Sequence, residues 1–381
     1  MKKIFSLIIL ILAFISLLQP NVICFADELT ATVNDQLNNI DLSGIKDYFN
    51  QISGGEIDFN FILTSLINGT NEENVTNIFE RVISAIFANV SKSIPIFLSV
   101  IAICILCNVV TGIRSAFLSE GVAETINFVA FLSIILLLFT DVSIFYTNTR
   151  NSIENIAKSS EIMSPIILTL MVAGGGNVSA GLYKPTVVFL SNGVLSLVLK
   201  IVLPLILFFL IFSIINHFSK DYKFGKFVDF ISSCIKWVLG ITATVFGIFL
   251  TTKGIASATF DSISFKVAKY TISNSVPIVG GFIKDGFDVV VAGSTLIKNA
   301  VGIGGLICLF SVILSPLLSM AVYSLLLKLT AGLIEPTDSG RVSGLCTSIS
   351  KFVSYLIACI LVVGLMFFIL VLLMICSGNG F

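Results

Sequence analysis

The sequence predicts an all-α, polytopic membrane protein with a cleaved signal peptide and amphipathic helices outside the membrane. Three observations carry that prediction. Of 381 residues, 56% are hydrophobic and only 12% charged, against about 25% charged in ordinary soluble domains. The mean hydropathy is +1.04. The apolar residues also come in uninterrupted runs of span length rather than as one amphipathic stripe.

Lys2 and Lys3, the apolar run Ile4 to Leu18, and Cys24-Phe25-Ala26 form the three-part layout of a secretory signal peptide over residues 1–26. Cleavage after Ala26 fits best; an uncleaved first helix is the competing reading, and a lipoprotein reading is disfavoured by Asn21, Val22 and Ile23 before Cys24. Residues 27–92 read as an extracytoplasmic helical segment, with helical spacing at Ile45, Tyr48, Phe49 and Ile52 and a Gly54-Gly55 break before Phe59, Phe61 and Ile62.

Transmembrane character begins at about residue 93. Ile94 to Val110 and Ile126 to Tyr146 read as spans, with the polar stretch Asn148 to Glu161 expected to face outside. Met163 to Asn216 is too long for one straight crossing, since ~48 Å of helix exceeds a hydrocarbon core of ~30 Å. Two arrangements fit: a re-entrant glycine-rich loop plus one long tilted span, or three short spans divided near Tyr183 and Lys200. Either leaves 217–226, with Lys220, Lys223 and Lys226, as a cytoplasmic loop.

A further transmembrane helix occupies 227–252, amphipathic extracytoplasmic helices are expected over 253–299, and 300–376 holds two spans joined by a cytoplasmic loop. The spans there are Ile303 to Leu327, containing Pro316, and Phe352 to Cys376. Gly302, Gly304 and Gly305 suit close helix packing in lipid.

Chemistry is sparse. Twenty-two basic residues balance 22 acidic ones, which gives no basic footprint for nucleic acid. One histidine, His217, excludes multi-histidine metal sites and the H-E-x-x-H pattern, and no phosphate-cradling glycine loop with its lysine is present. No cofactor and no enzymatic activity are expected. Cys104 and Cys107 form a C-x-x-C inside a candidate span, where small buried thiols are the better reading.

Intramembrane charge suggests a pathway or a pairing. Asp141, Lys200 and Lys236 are the candidates, and so is the glycine break Gly174, Gly175, Gly176, which is either a broken-helix site or a tight hairpin. On the amphipathic region, Ile283, Lys284, Phe287 and Lys298 are candidates for docking partners.

The segments Met163 to Met171 with their glycine tail and Ser275 to Gly281, continuing through Asp285, Asp288 to Val290 and Leu296 to Ala300, resemble the stage III sporulation protein AE family. The likeness runs from the signal peptide to the last span. It implies a mother-cell protein in the membrane surrounding the forespore. The implied partners are other proteins of its sporulation operon, including ring-forming components and a secretion-type ATPase, and a forespore-side receptor. The implied role is in a channel or secretion-like complex that keeps late forespore gene expression running. Self-association is compatible with this, and no catalytic residue is implied. A stand-alone secondary transporter or permease for a small solute is the alternative, using the Gly174 to Gly176 break with Lys236 or Asp141 in ion coupling.

Overall fold

The computed structural model describes residues 41–53, 59–68, 74–112, 120–218, 224–275, 280–336 and 341–377. The expected signal peptide and the Gly54-Gly55 break lie outside them. Two short helices, α1 (Ser43–Ser53) and α2 (Phe59–Asn68), precede α3 (Asn74–Gly112), α4 (Glu120–Ala173), the composite rod α5 (Asn177–Phe218), α6 (Gly225–Ser275), α7 (Gly280–Ile334) and α8 (Arg341–Cys376). Among the described residues there is no strand. Six helices are long and apolar enough to cross a membrane, so the protein is an all-α polytopic membrane protein.

The helices are much longer than a bilayer needs. α4 has 54 residues, about 81 Å of helix at 1.5 Å per residue, against a hydrocarbon core of ~30 Å. The exposed large apolar side chains mark which part lipid can cover. They run from Phe87 to Val109 on α3, Val122 to Ile144 on α4 and Phe227 to Ile248 on α6, each ~32 Å of helix. Beyond Ile144, α4 exposes no large apolar side chain before Val172 among the described residues and instead carries the surface ion pair Arg150–Glu154 at 2.9 Å. Its second half therefore projects from the membrane.

The structure bears on the expected layout at three places. The polar stretch Asn148 to Glu161 is helical throughout, because burial of Ile153 and Ile156 keeps one apolar stripe continuous through the polar sequence. Met163 to Asn216 contains a single break, the turn at Gly174 to Gly176. The rod that follows, as one of the two expected arrangements has it, is unbroken at Tyr183 and at Lys200; it is π-helical over Phe189–Val194 and over Val198–Val202, the stretch that contains Lys200. Both π stretches lie between Pro185 and Pro204, each of which removes a backbone donor from the ladder. Finally, the helices expected over 253–299 are the continuation of α6 and the first part of α7.

α8 is the centre of the bundle, buried from Val342 to Met374 at helical spacing. Small residues let its neighbours close in. A methyl on Gly302 would overlap Ile375, and one on Gly305 would overlap Met163 of α4. The ends of α5 and α8 meet at His217 and Gly344, Phe128 of α4 stacks edge-on to Phe218, and Gly225 opens α6 beside Asn216. The chain segments after α3, α5 and α7 thus leave from one end of the bundle, where Lys226 and Arg341 lie, the arrangement the positive-inside rule favours for a cytoplasmic face.

Candidate functional site

The glycine break is a tight helix hairpin. Gly175 adopts φ 91°, a left-handed conformation that glycine takes without steric cost. The amide of Gly174 donates to the Leu170 carbonyl at 2.9 Å and that of Gly176 to Met171 at 2.8 Å, closing the end of α4. A side chain at Gly174 would come within 3.3 Å of the Thr295 hydroxyl of α7. Backbone dipoles at the turn are occupied in ending one helix and starting the next.

The same end of the bundle holds a polar cluster that the sequence reading missed. Lys298 is 1% exposed, and its Nζ donates to the Ser377 carbonyl at 2.7 Å, while the Tyr183 hydroxyl lies 3.0 Å from Ser377 Oγ. Lys298 is thus a clasp between α7 and the end of α8, with its ammonium turned inward rather than toward a partner. The signal was present in the sequence: Val291, Ser294, Lys298 and Val301 recur at i, i+3, i+7 and i+10, and all four are buried. Among the described residues Lys298 is the one charged side chain that is buried. Ile283, Lys284 and Phe287 fall in α7, and their side chains lie outside the described residues.

Asp141 sits partly buried on α4 and faces Tyr323 of α7, within electrostatic reach of Lys92 of α3. Tyr323 is packed between Phe97 and Phe145, ring centroids 5.1 and 4.8 Å away, and its hydroxyl is buried with no hydrogen bond of normal length. One turn up, Ser319 donates to Asn89 of α3 at 2.8 Å. Deeper in the bundle, Ser324 and Ser350 share a 2.8 Å hydroxyl contact between α7 and α8, and Ser232 of α6 bonds Tyr355 of α8. These hydroxyls tie helices together pairwise.

Lys200 and Lys236 lie elsewhere. Both are exposed, on the outer faces of α5 and α6, so the structure does not bring them together with Asp141 or with the glycine hairpin. Cys104 is buried, and Cys107 donates to Asn127 Oδ1 at 2.9 Å. Among the described residues no group of three His, Cys, Asp or Glu side chains is placed to hold a metal ion.

The Stage III sporulation protein AE family model matches residues 57–378. The chain is 26% identical over 317 residues to "Stage III sporulation protein AE" of Bacillus subtilis (strain 168), covering 83% of this chain and 79% of that protein. No solved structure matches it. The chain belongs to the stage III sporulation protein AE family, a multi-pass membrane protein of sporulation.

Proposed function

We propose that the protein is a non-enzymatic component of a channel or secretion-like complex between mother cell and forespore, seated in the mother-cell membrane that surrounds the forespore. Its partners are other products of its sporulation operon, among them ring-forming proteins and a secretion-type ATPase, together with a receptor on the forespore side. Its role is to sustain late forespore gene expression.

The observation that carries this reading is the length of the helices in a chain of this family. α4 and α7, with 54 and 55 residues, extend well past any bilayer as a packed bundle, which supplies a rigid platform on which soluble partners can assemble. The alternative of a stand-alone transporter draws less support, because its coupling candidates Asp141 and Lys236 lie apart, one partly buried against Tyr323 and the other on the outer face of α6, and the glycine break is a closed hairpin.

An in-frame deletion in the sporulating host, read with a late forespore-specific reporter, tests the proposal. Engulfment that completes while the reporter stays silent is the expected result; normal reporter activity and spore yield contradict it. Purified protein that moved a small solute into liposomes unaided would favour the transporter reading.

A further inference from the structure

Lys236 stands at the middle of the apolar stretch of α6 and faces outward. It lies nine residues after Phe227 and twelve before Ile248, the limits of exposed apolar side chains on that helix, or ~14 and ~18 Å along the axis. A four-carbon stem does not span either distance, so the ammonium cannot snorkel free of hydrocarbon. The adjoining rod α5 repeats the situation. Lys200 is exposed between Val188 and Phe218, both exposed apolar residues, about 18 and 27 Å from them. Among the described residues neither lysine has a partner.

No compensating charge is available on this surface. α5 contains no carboxylate, and α6 up to Thr251 contains only Asp229, near its cytoplasmic end. The apolar part of α4 carries Glu124 three residues after its first glycine, Gly121, at one end of the stretch, and Asp141, which is partly buried against Tyr323. A second copy of this chain therefore has no exposed carboxylate to offer at that depth among the described residues. Ionisable residues at membrane depth ordinarily pair with one another or face protein. The face is also shaped for a helix: Ser233, Gly240, Thr244, Gly247 and Thr251 are exposed along α6, and a methyl on Gly240 or Gly247 would meet open space. Such small residues let a second backbone approach closely in lipid. Trp237, 70% exposed, flanks the stripe.

We propose that the outer face of α6 is the docking site for a membrane-spanning helix of a different protein that carries a carboxylate at mid-membrane depth, held by Lys236. The proposal rests on the reading of this protein as part of a multiprotein membrane complex, and it assigns one partner by its chemistry.

The test is photo-crosslinking of the full-length protein in the sporulating host, with the photoreactive residue at Ile241 and a control at Phe139 of α4. An adduct specific to Ile241, joining a membrane protein with Asp or Glu in a span, is expected. Lys236→Met should reduce that adduct at least tenfold at unchanged protein level, Lys236→Arg should keep it, and Lys236→Glu should recover it when the partner's carboxylate is replaced by Lys. Adducts with lipid only, with a second copy, or with a protein whose spans lack carboxylates overturn the proposal, as does an adduct indifferent to Lys236→Met. Should Lys236→Met lower the protein level, the Lys236→Glu exchange decides alone: no recovery overturns it. A deletion strain that sporulates normally would instead refute the functional reading, whereas arrested sporulation with only lipid adducts refutes this docking site alone.

Discussion

The imidazole of His217, at the end of α5, presses against the Cα of Gly344 in the first turn of α8, so that a methyl group there would overlap Nε2. His217 Nδ1 meanwhile pairs with the Ser213 carbonyl at 2.7 Å, which fixes the ring. Gly344→Ala should therefore lower stability by about 1 to 3 kcal/mol, the usual cost of overpacking. His217→Ala in the same chain should recover most of that loss. Melting temperatures of the purified variants in detergent check both statements, and a double variant no better than Gly344→Ala would place the strain elsewhere.

Lys298 and Ser377 make a second testable clasp. Replacing Lys298 with Met removes a charge-assisted bond and leaves the Ser377 carbonyl unpaired, which should cost about 1.5 to 3 kcal/mol. If Lys298 instead faced partners, Lys298→Met would leave the melting temperature of the isolated protein unchanged.

The Tyr323 hydroxyl should matter less than its ring. It faces Asp141 without a full-strength hydrogen bond, so Tyr323→Phe should cost no more than about 1 kcal/mol. Tyr323→Ala empties the space between Phe97 and Phe145 and should cost about 3 to 5 kcal/mol. Equal losses in the two variants would contradict this packing.

α1 is fastened to the projecting half of α4 by the Tyr48 hydroxyl, which donates to the Asn155 carbonyl at 2.7 Å. Burial raises the Tyr48 phenol above its ordinary 10.0, with Glu161 adding to the effect and the Ser159 hydroxyl opposing it. With the folded value raised, this contribution is complete below pH 10 and disappears only as pH climbs through the higher value. Tyr48→Phe should cost about 1 kcal/mol at neutral pH, and the difference between the two proteins should persist unchanged up to pH 9.

The membrane class and the spans on α3, α4 and α6 could be read from runs of apolar residues, because lipid imposes that pattern on any sequence. Span ends on α4 and α7 could not. Once a helix leaves the membrane packed on neighbours, its polar residues sit on the water side and its apolar stripe continues, as Ile153, Ile156 and Met163 do, so composition alone marks a polar stretch without showing that the helix runs on through it. Lys298 was misread for a related reason: among nearby lysines and aspartates it counted as surface, although its spacing from Val291 and Val301 placed it in the core. The hairpin at Gly174 to Gly176 was visible as a break, but only the contact with Thr295 distinguishes a closed turn from an open site.

The projection of α4 from the membrane is the claim on which the platform rests, and cysteine accessibility along that helix tests it most directly. In a cysteine-free background, single cysteines at Leu136, Phe139, Asn151 and Lys158, all exposed on the bundle surface, are labelled in intact cells with a membrane-impermeant thiol reagent. Labelling at Asn151 and Lys158 with protection at Leu136 and Phe139 is the predicted pattern. Protection at Lys158 in intact cells that persists after the membranes are opened would place the second half of α4 within lipid or another protein and contradict the account.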